Sequence, residues 1–196
     1  MAAKATLFSI IIFSKDEKTS IYQEEYNLGS FSYFKRTAVQ EMLRFLSKRV
    51  AESLDTAVPQ ELVHRMEEGE SYKFFVKEKS DLIYVTASLL EYPSNTLSLL
   101  IEDISKQIKS SSRSELAGHL KVQMKEYQDY EQKDIMLQIK NELGKVEEIL
   151  TKTVESALGR GEKIDELISS ADSLSFQTKS LYKLSRKQNK RCCGIM

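Results

Sequence analysis

The sequence predicts an α+β domain, a five-stranded antiparallel sheet with flanking helices, followed by one long heptad-patterned helix. Three observations carry this. Strand-length apolar runs and helix-spaced stripes follow the order strand, strand, helix, three strands, helix, joined by short polar turns that favour antiparallel pairing. Across residues 136–188 apolar side chains recur at alternating steps of three and four without a slip. No proline follows Pro93, so nothing interrupts a long helix downstream.

A chain of 196 residues has room for one ordinary domain and an extension, and 41% hydrophobic residues suffice for a core. The 30% of charged residues points to a long solvated helix, and a net charge of zero argues against a nucleic-acid partner. Cys192 and Cys193 are adjacent, so they cannot staple a fold; they read as free thiols in a reducing, cytosolic setting. No apolar run approaches the ~20 residues needed to span a bilayer.

Residues 5–14 form a continuous apolar run, as expected of a central strand buried on both faces. The charges that follow, Lys15 to Lys18, replace the small-residue cleavage site that a signal peptide would need. Ser20 to Tyr26 return as a second strand, closed by Asn27 and Gly29. A helix over residues 31–54 places Val39, Met42, Leu43, Leu46, Val50 and Leu54 on one stripe facing the sheet. Phe34, Ala38 and Phe45 fall together about a third of a turn away, at ~100° per residue. That second strip is either packing against another element or a docking surface. After Pro59, strands are expected at 62–67, 72–77 and 82–90, then a helix from Pro93-Ser94 bearing Leu97, Leu100, Ile101, Ile104 and Ile108. Residues 109–114 read as a loop and 116–130 as a short further helix.

Catalytic motifs are missing. There is no phosphate loop, nucleophile elbow or zinc-ligand spacing, and Gly159-Arg160-Gly161-Glu162-Lys163 lies mid-helix with no strand before it. His64 and His119 are isolated in sequence and read as structural or surface residues, so no catalytic or metal-ligating residue is assigned and no enzyme is expected.

With Arg160 at position d, the a positions are Met136, Leu143, Leu150, Ala157, Ile164, Ala171, Thr178 and Ser185. The d positions are Ile139, Val146, Thr153, Arg160, Leu167, Leu174, Leu181 and Gln188. Eleven of these sixteen are apolar, a coiled-coil seam of eight heptads. Gly144, Gly159 and Gly161 each weaken an isolated helix by ~1 kcal/mol relative to alanine. The seam alone returns less than the ordering of so many residues costs. The segment is therefore expected to be disordered or docked until partner helices bury more surface. Arg160 at mid-seam is costly unless several acceptors meet it, and one such polar layer fixes register and partner choice. A ring of side-chain amide oxygens would satisfy it; the alternative is an arginine snorkelling out of a loose dimer.

The tail Cys193-Gly194-Ile195-Met196 fits a C-a-a-X signal whose terminal Met favours farnesyl on Cys193. One lipid gives only reversible binding and two anchor stably, which makes Cys192 the site for a palmitoyl or a second prenyl. Arg186, Lys187, Lys190 and Arg191 add attraction to an anionic leaflet.

Taken together, the heptad stretch ESALGRGEKIDEL with its central arginine resembles an R-SNARE of the synaptobrevin superfamily. The front domain resembles the longin (profilin-like) domain, through SFSYFKRTAVQEML and EYPSNTLSLL, and RGEK, RKQN and CCGIM extend the likeness to the end. This combination is similar to the lipid-anchored longin SNAREs of Golgi, endosomal and vacuolar fusion. The resemblance implies a longin domain at 1–131, an R-SNARE motif at 134–191 and a lipidation tail at 192–196, with residues 194–196 removed. It implies a farnesyl on Cys193, a second lipid on Cys192, and no cofactor beyond covalent lipid. As partners it implies three glutamine-type SNARE helices, a SNARE disassembly ATPase with its adaptor, and the membrane. It further implies an autoinhibitory groove at Phe34, Ala38, Met42 and Phe45 that holds the SNARE segment in a cytosolic closed form, with Phe45 matching the family's groove phenylalanine. The competing functional reading is a non-fusogenic longin adaptor or tether whose coiled coil only dimerises. An acyltransferase reading finds no nucleophile here.

Overall fold

The computed structural model describes residues 6–16, 20–54, 58–64, 71–108, 112–130, 149–157 and 163–187. Strand β1 (Leu7–Ser14) lies inside the sheet and is buried on both faces, as its apolar run requires. Leu7, Ile10 and Ile12 enter one core while Phe8, Ile11 and Phe13 enter the other. The first step on each side is three residues where strict alternation needs two. A register shift between Leu7 and Ser9 against the neighbouring strand absorbs the extra residue as a bulge.

Around β1 stand β2 (Ile21–Tyr26), β3 (Gln60–His64), β4 (Tyr72–Lys79) and β5 (Leu82–Leu89), in the antiparallel order β2-β1-β5-β4-β3. These are the five strands the sequence predicts, with β3 beginning two residues earlier. A sixth strand, β6 (Leu150–Thr153), pairs parallel to β3, so among the described residues the sheet has six strands and is mixed. It comes from the heptad segment, which contributes a strand where a helix is expected.

Helix α1 (Tyr33–Glu52) covers one face; Leu43, Leu46 and Val50 from its predicted stripe are buried in that core together with Leu54 just beyond. Helices α2 (Ser94–Ile108) and α3 (Arg113–Glu126) cover the other, through Leu97, Leu100, Ile101, Ile104, Leu116 and Leu120. Helix α3 starts three residues before the predicted position. Ser112 and Glu115 form a reciprocal capping box, and the Ser-x-x-Glu spacing already encoded it. At its far end the Gln128 side chain accepts from the Thr6 and Leu7 N–H groups and donates to the Leu7 carbonyl, tying β1 to α3.

Lys73 and Lys77 of β4 are buried, not solvated. Lys77 Nζ donates to Ser98 Oγ (2.9 Å) and Glu102 Oε1 (3.1 Å), while Lys73 Nζ reaches the Tyr92 carbonyl, Ser94 Oγ and Glu61. Each charge is paired and hydrogen-bonded, which is what makes its burial tolerable. Burial pushes Glu102 up, yet the hydrogen bonds from Lys79 and Lys77 outweigh it and hold its carboxyl below the usual range.

Lys79 and Leu82 face each other across a two-residue hairpin whose central residues, Ser80 and Asp81, have φ of 51° and 60°. Positive φ at both positions matches the twist of the strands but strains a serine. Ser80→Asn, a residue that tolerates this conformation better, is expected to raise the unfolding free energy by roughly 0.5 kcal/mol in urea titration.

Candidate functional site

The C-terminal segment wraps back over the front domain along α1. It begins with β6, whose Leu150 N–H donates to the Pro59 carbonyl (3.0 Å) and whose register runs from Gln60↔Leu150 to Val63↔Thr153. Thr151 and Thr153 are β-branched and suit a strand. A single helical turn, α4 (Val154–Ala157), follows; the Ser156 N–H donates to Thr153 Oγ1 (3.1 Å) and Val154 is fully buried. Glu155 Oε1 lies 3.7 Å from Nδ1 of the buried His64.

Helix α5 (Ile164–Ser170) buries Ile164 and Ile168 in the core shared by α1 and the sheet. Residues 171–175 turn, with the Leu174 N–H donating to the Ala171 carbonyl. Helix α6 (Phe176–Lys187) then runs beside α1. Leu174, Thr178 and Tyr182 are buried and Leu181 is half-buried.

Three hydrogen bonds fix this arrangement. Glu41 on α1 accepts from the Ser175 N–H (3.1 Å) and from the Thr178 hydroxyl (2.6 Å). Within the segment, the Tyr182 hydroxyl donates to Asp165 Oδ1 (2.8 Å). An apolar cavity of about 280 Å³ remains between α1, the sheet and α6, with Phe8, Met42, Phe74, Leu181 and Tyr182 among its walls.

The off-stripe strip of α1 meets this segment. Ala38 and Phe45 are buried and Met42 is half-buried; Phe45 shares a hollow with Leu174, and Ala38 shares one with Leu181. Phe34 remains 91% exposed, beside Phe176 and Leu184, so of the four groove residues it is the one left uncovered. Sequence reasoning missed Glu41, which borders the second strip of α1 on the side away from the sheet, and the Asp165–Tyr182 pair, whose members stand 17 residues apart.

In the folded-back form the heptads do not run as one helix. Among the described residues the segment is strand, turn of helix, short helix, turn and helix, because a lone seam buries its apolar groups against whatever surface is nearest. Docking, one of the two states expected before partners arrive, is what the structure holds. Of the seam, Ile164, Leu174 and Thr178 are buried, Ala157, Leu167, Ala171 and Leu181 half-buried, and Leu150 and Thr153 exposed. Met136, Ile139, Leu143, Val146, Arg160, Gln188, Cys192 and Cys193 lie outside the described residues, as does the side chain of Ser185. The described residues contain no cluster of three or more His, Cys, Asp or Glu placed to hold a metal, and none of their helices is long and apolar enough to cross a membrane.

An α+β domain of this topology, joined to a heptad segment, defines a longin-type SNARE. The chain belongs to the synaptobrevin family and is a Ykt6-like longin R-SNARE: the synaptobrevin family model matches residues 135–194. The synaptobrevin homolog ykt6 of Schizosaccharomyces pombe is 34% identical over 96% of this chain and 98% of its own length. The synaptobrevin homolog YKT6 of Debaryomyces hansenii is 30% identical over 87% of this chain and 88% of its own length. The VAMP-like protein YKT61 of Arabidopsis thaliana is 29% identical over 87% of each chain. Proteins of this family are SNAREs acting in vesicle trafficking, not enzymes.

Glu41 gives the docked form a pH signature. Burial alone raises its carboxyl, but the hydrogen bonds from Thr178 and Ser175 overcome that and hold it below its ordinary value of 4.5. Those donors are present only when α6 is docked. A carboxyl depressed in the docked state favours docking above its free value and loses that contribution as pH falls through the docked value. Hydrogen exchange in peptides spanning 174–182 is therefore expected to accelerate, relative to β1, as pH drops below about 4.5 after correction for intrinsic rates, and Glu41→Ala should show the faster exchange already at pH 7.

Proposed function

We propose that this chain drives intracellular membrane fusion as the arginine-bearing helix of a four-helix SNARE complex, and that its front domain holds that helix in reserve. The observation that carries the reading is the burial of seam residues Ile164, Leu174 and Thr178 against the front domain. A partner helix needs the same side chains, so folding back and assembly exclude one another. Release straightens the segment, and three glutamine-type helices supply the apolar surface that the seam alone lacks.

On this reading the longin domain spans 1–131, the SNARE motif 134–191 and the lipidation tail 192–196. Arg160 forms the central layer, where side-chain amides from three partners satisfy its donors. Farnesyl on Cys193, with a second lipid on Cys192, secures the cytosolic face of Golgi, endosomal or vacuolar membranes. A disassembly ATPase with its adaptor then returns the chain to the folded-back form. Ala38, Met42 and Phe45 form the autoinhibitory groove, with Phe34 at its open end.

Mixing the full chain with three purified glutamine-type helices is expected to yield a one-to-one-to-one-to-one complex with a gain of helical circular dichroism. Arg160→Leu should weaken that complex by about 1–3 kcal/mol, because the partner amides lose their donor. No helical gain with any glutamine-type set, or a stable homodimer of the segment in ultracentrifugation, would favour the adaptor reading instead. Cys193→Ser should move the protein from membrane to soluble fractions, with the farnesyl mass absent from the terminal peptide.

A further inference from the structure

The heptad register that places Arg160 at d leaves a second set of residues unexplained. Position e of successive heptads is occupied by Val154, Ile168, Ser175 and Tyr182 among the described residues, each seven or fourteen from the last. Position e flanks a coiled-coil seam and ordinarily carries charged or polar groups. Three of these four are large and apolar or aromatic, which a four-helix seam does not require.

In the folded-back form all four touch the front domain. Val154 and Ile168 are 0% exposed and Tyr182 is 8% exposed, all within the core built by α1 and the sheet. Ser175, the polar one, donates its N–H to Glu41. Seam positions Leu150 and Thr153 face solvent instead. Seam residues Ile164, Leu174 and Thr178 are buried as well, so the docked surface takes in part of the seam and extends past it to e.

A second observation is independent of the register. The Tyr182 hydroxyl reaches Asp165 across 17 residues at 2.8 Å. In a continuous α-helix those Cα atoms stand about 25 Å apart at ~1.5 Å rise per residue. The bond exists only while the chain is bent at residues 171–175, so assembly must break it.

We propose that Val154, Ile168 and Tyr182, with Asp165 as the partner of Tyr182, serve the folded-back conformer alone, whereas the buried a and d residues serve both it and the four-helix complex. This rests on the SNARE reading above and adds to it a division of labour within one helix. The folded-back form thus uses e positions that the fusion seam does not, so the balance between reserve and release can be set without altering that seam.

The test uses the full chain. Ile168→Gln with Tyr182→Gln is expected to speed hydrogen exchange in peptides spanning 163–187 roughly tenfold or more, while β1 and β5 keep their protection. The same variant should assemble with the glutamine-type helices several-fold faster, into a complex whose melting temperature matches that of the unaltered chain. Leu174→Gln, at position d, should speed exchange and also lower that melting temperature. Tyr182→Phe removes only the hydroxyl and should give a smaller rise in exchange, which covers the case in which the double variant unfolds the front domain. The proposal falls if exchange is unchanged in these variants, or if the double variant weakens the complex as much as Leu174→Gln. Should the unaltered chain form no complex, the fusion reading fails while the exchange arm still decides whether these residues hold the bent form.

Discussion

Helix α1 is buried from two directions, and the rest of the structure is arranged around that condition. One stripe, with Leu43, Leu46 and Val50, closes the sheet; the other, with Ala38 and Phe45, faces outward from it and needs a cover. A longin domain without its C-terminal segment would leave that second stripe in water. The segment supplies Leu174, Leu181 and Tyr182, and Glu41 on the outer border of the second stripe supplies a charged acceptor for its turn. Apolar burial provides the drive, at about 25 cal/mol per Å² removed from water, while the Glu41 hydrogen bonds fix the position along α1.

The cover is made of chain that has another use. A helix long enough for eight heptads cannot fold alone, because nucleation and ordering outweigh what one exposed seam returns. Bending it into short pieces lets Ile164, Ile168 and Leu174 reach the same core from different directions, which a straight rod could not do. The glycines around Arg160, unhelpful to a helix, fit a chain that must sometimes not be one.

Most of the front domain was legible because its signals are local and mutually consistent. The run at residues 7–14 reads as a doubly buried strand, and one stripe on each of α1 and α2 faces the sheet. The two faces of α1 were visible from spacing alone. What covers the second face was not, since nothing in the period of α1 names its partner. The early start of α3 was readable from Ser112 and Glu115 but lost to the serine-rich look of residues 109–114. Strand β6 was illegible for a deeper reason. Leu150 and Thr153 fit a seam perfectly well, and one sequence with two competing structures shows a periodicity that reports only one of them. Asp165 and Tyr182 escaped for the same reason, because a contact across 17 residues exists in only one of the two shapes.

Strand β6 also has a bearing on solubility. It pairs with β3 in parallel and covers the row of backbone groups that β3 would otherwise turn to solvent. Once the segment departs, residues 60–63 present an open sheet edge, a template for pairing with any extended chain nearby. An opened molecule with no partner complex to join is therefore also the aggregation-prone one. In the folded-back form that edge is paired, so on the proposed function the time spent open without partners is also time exposed to self-association.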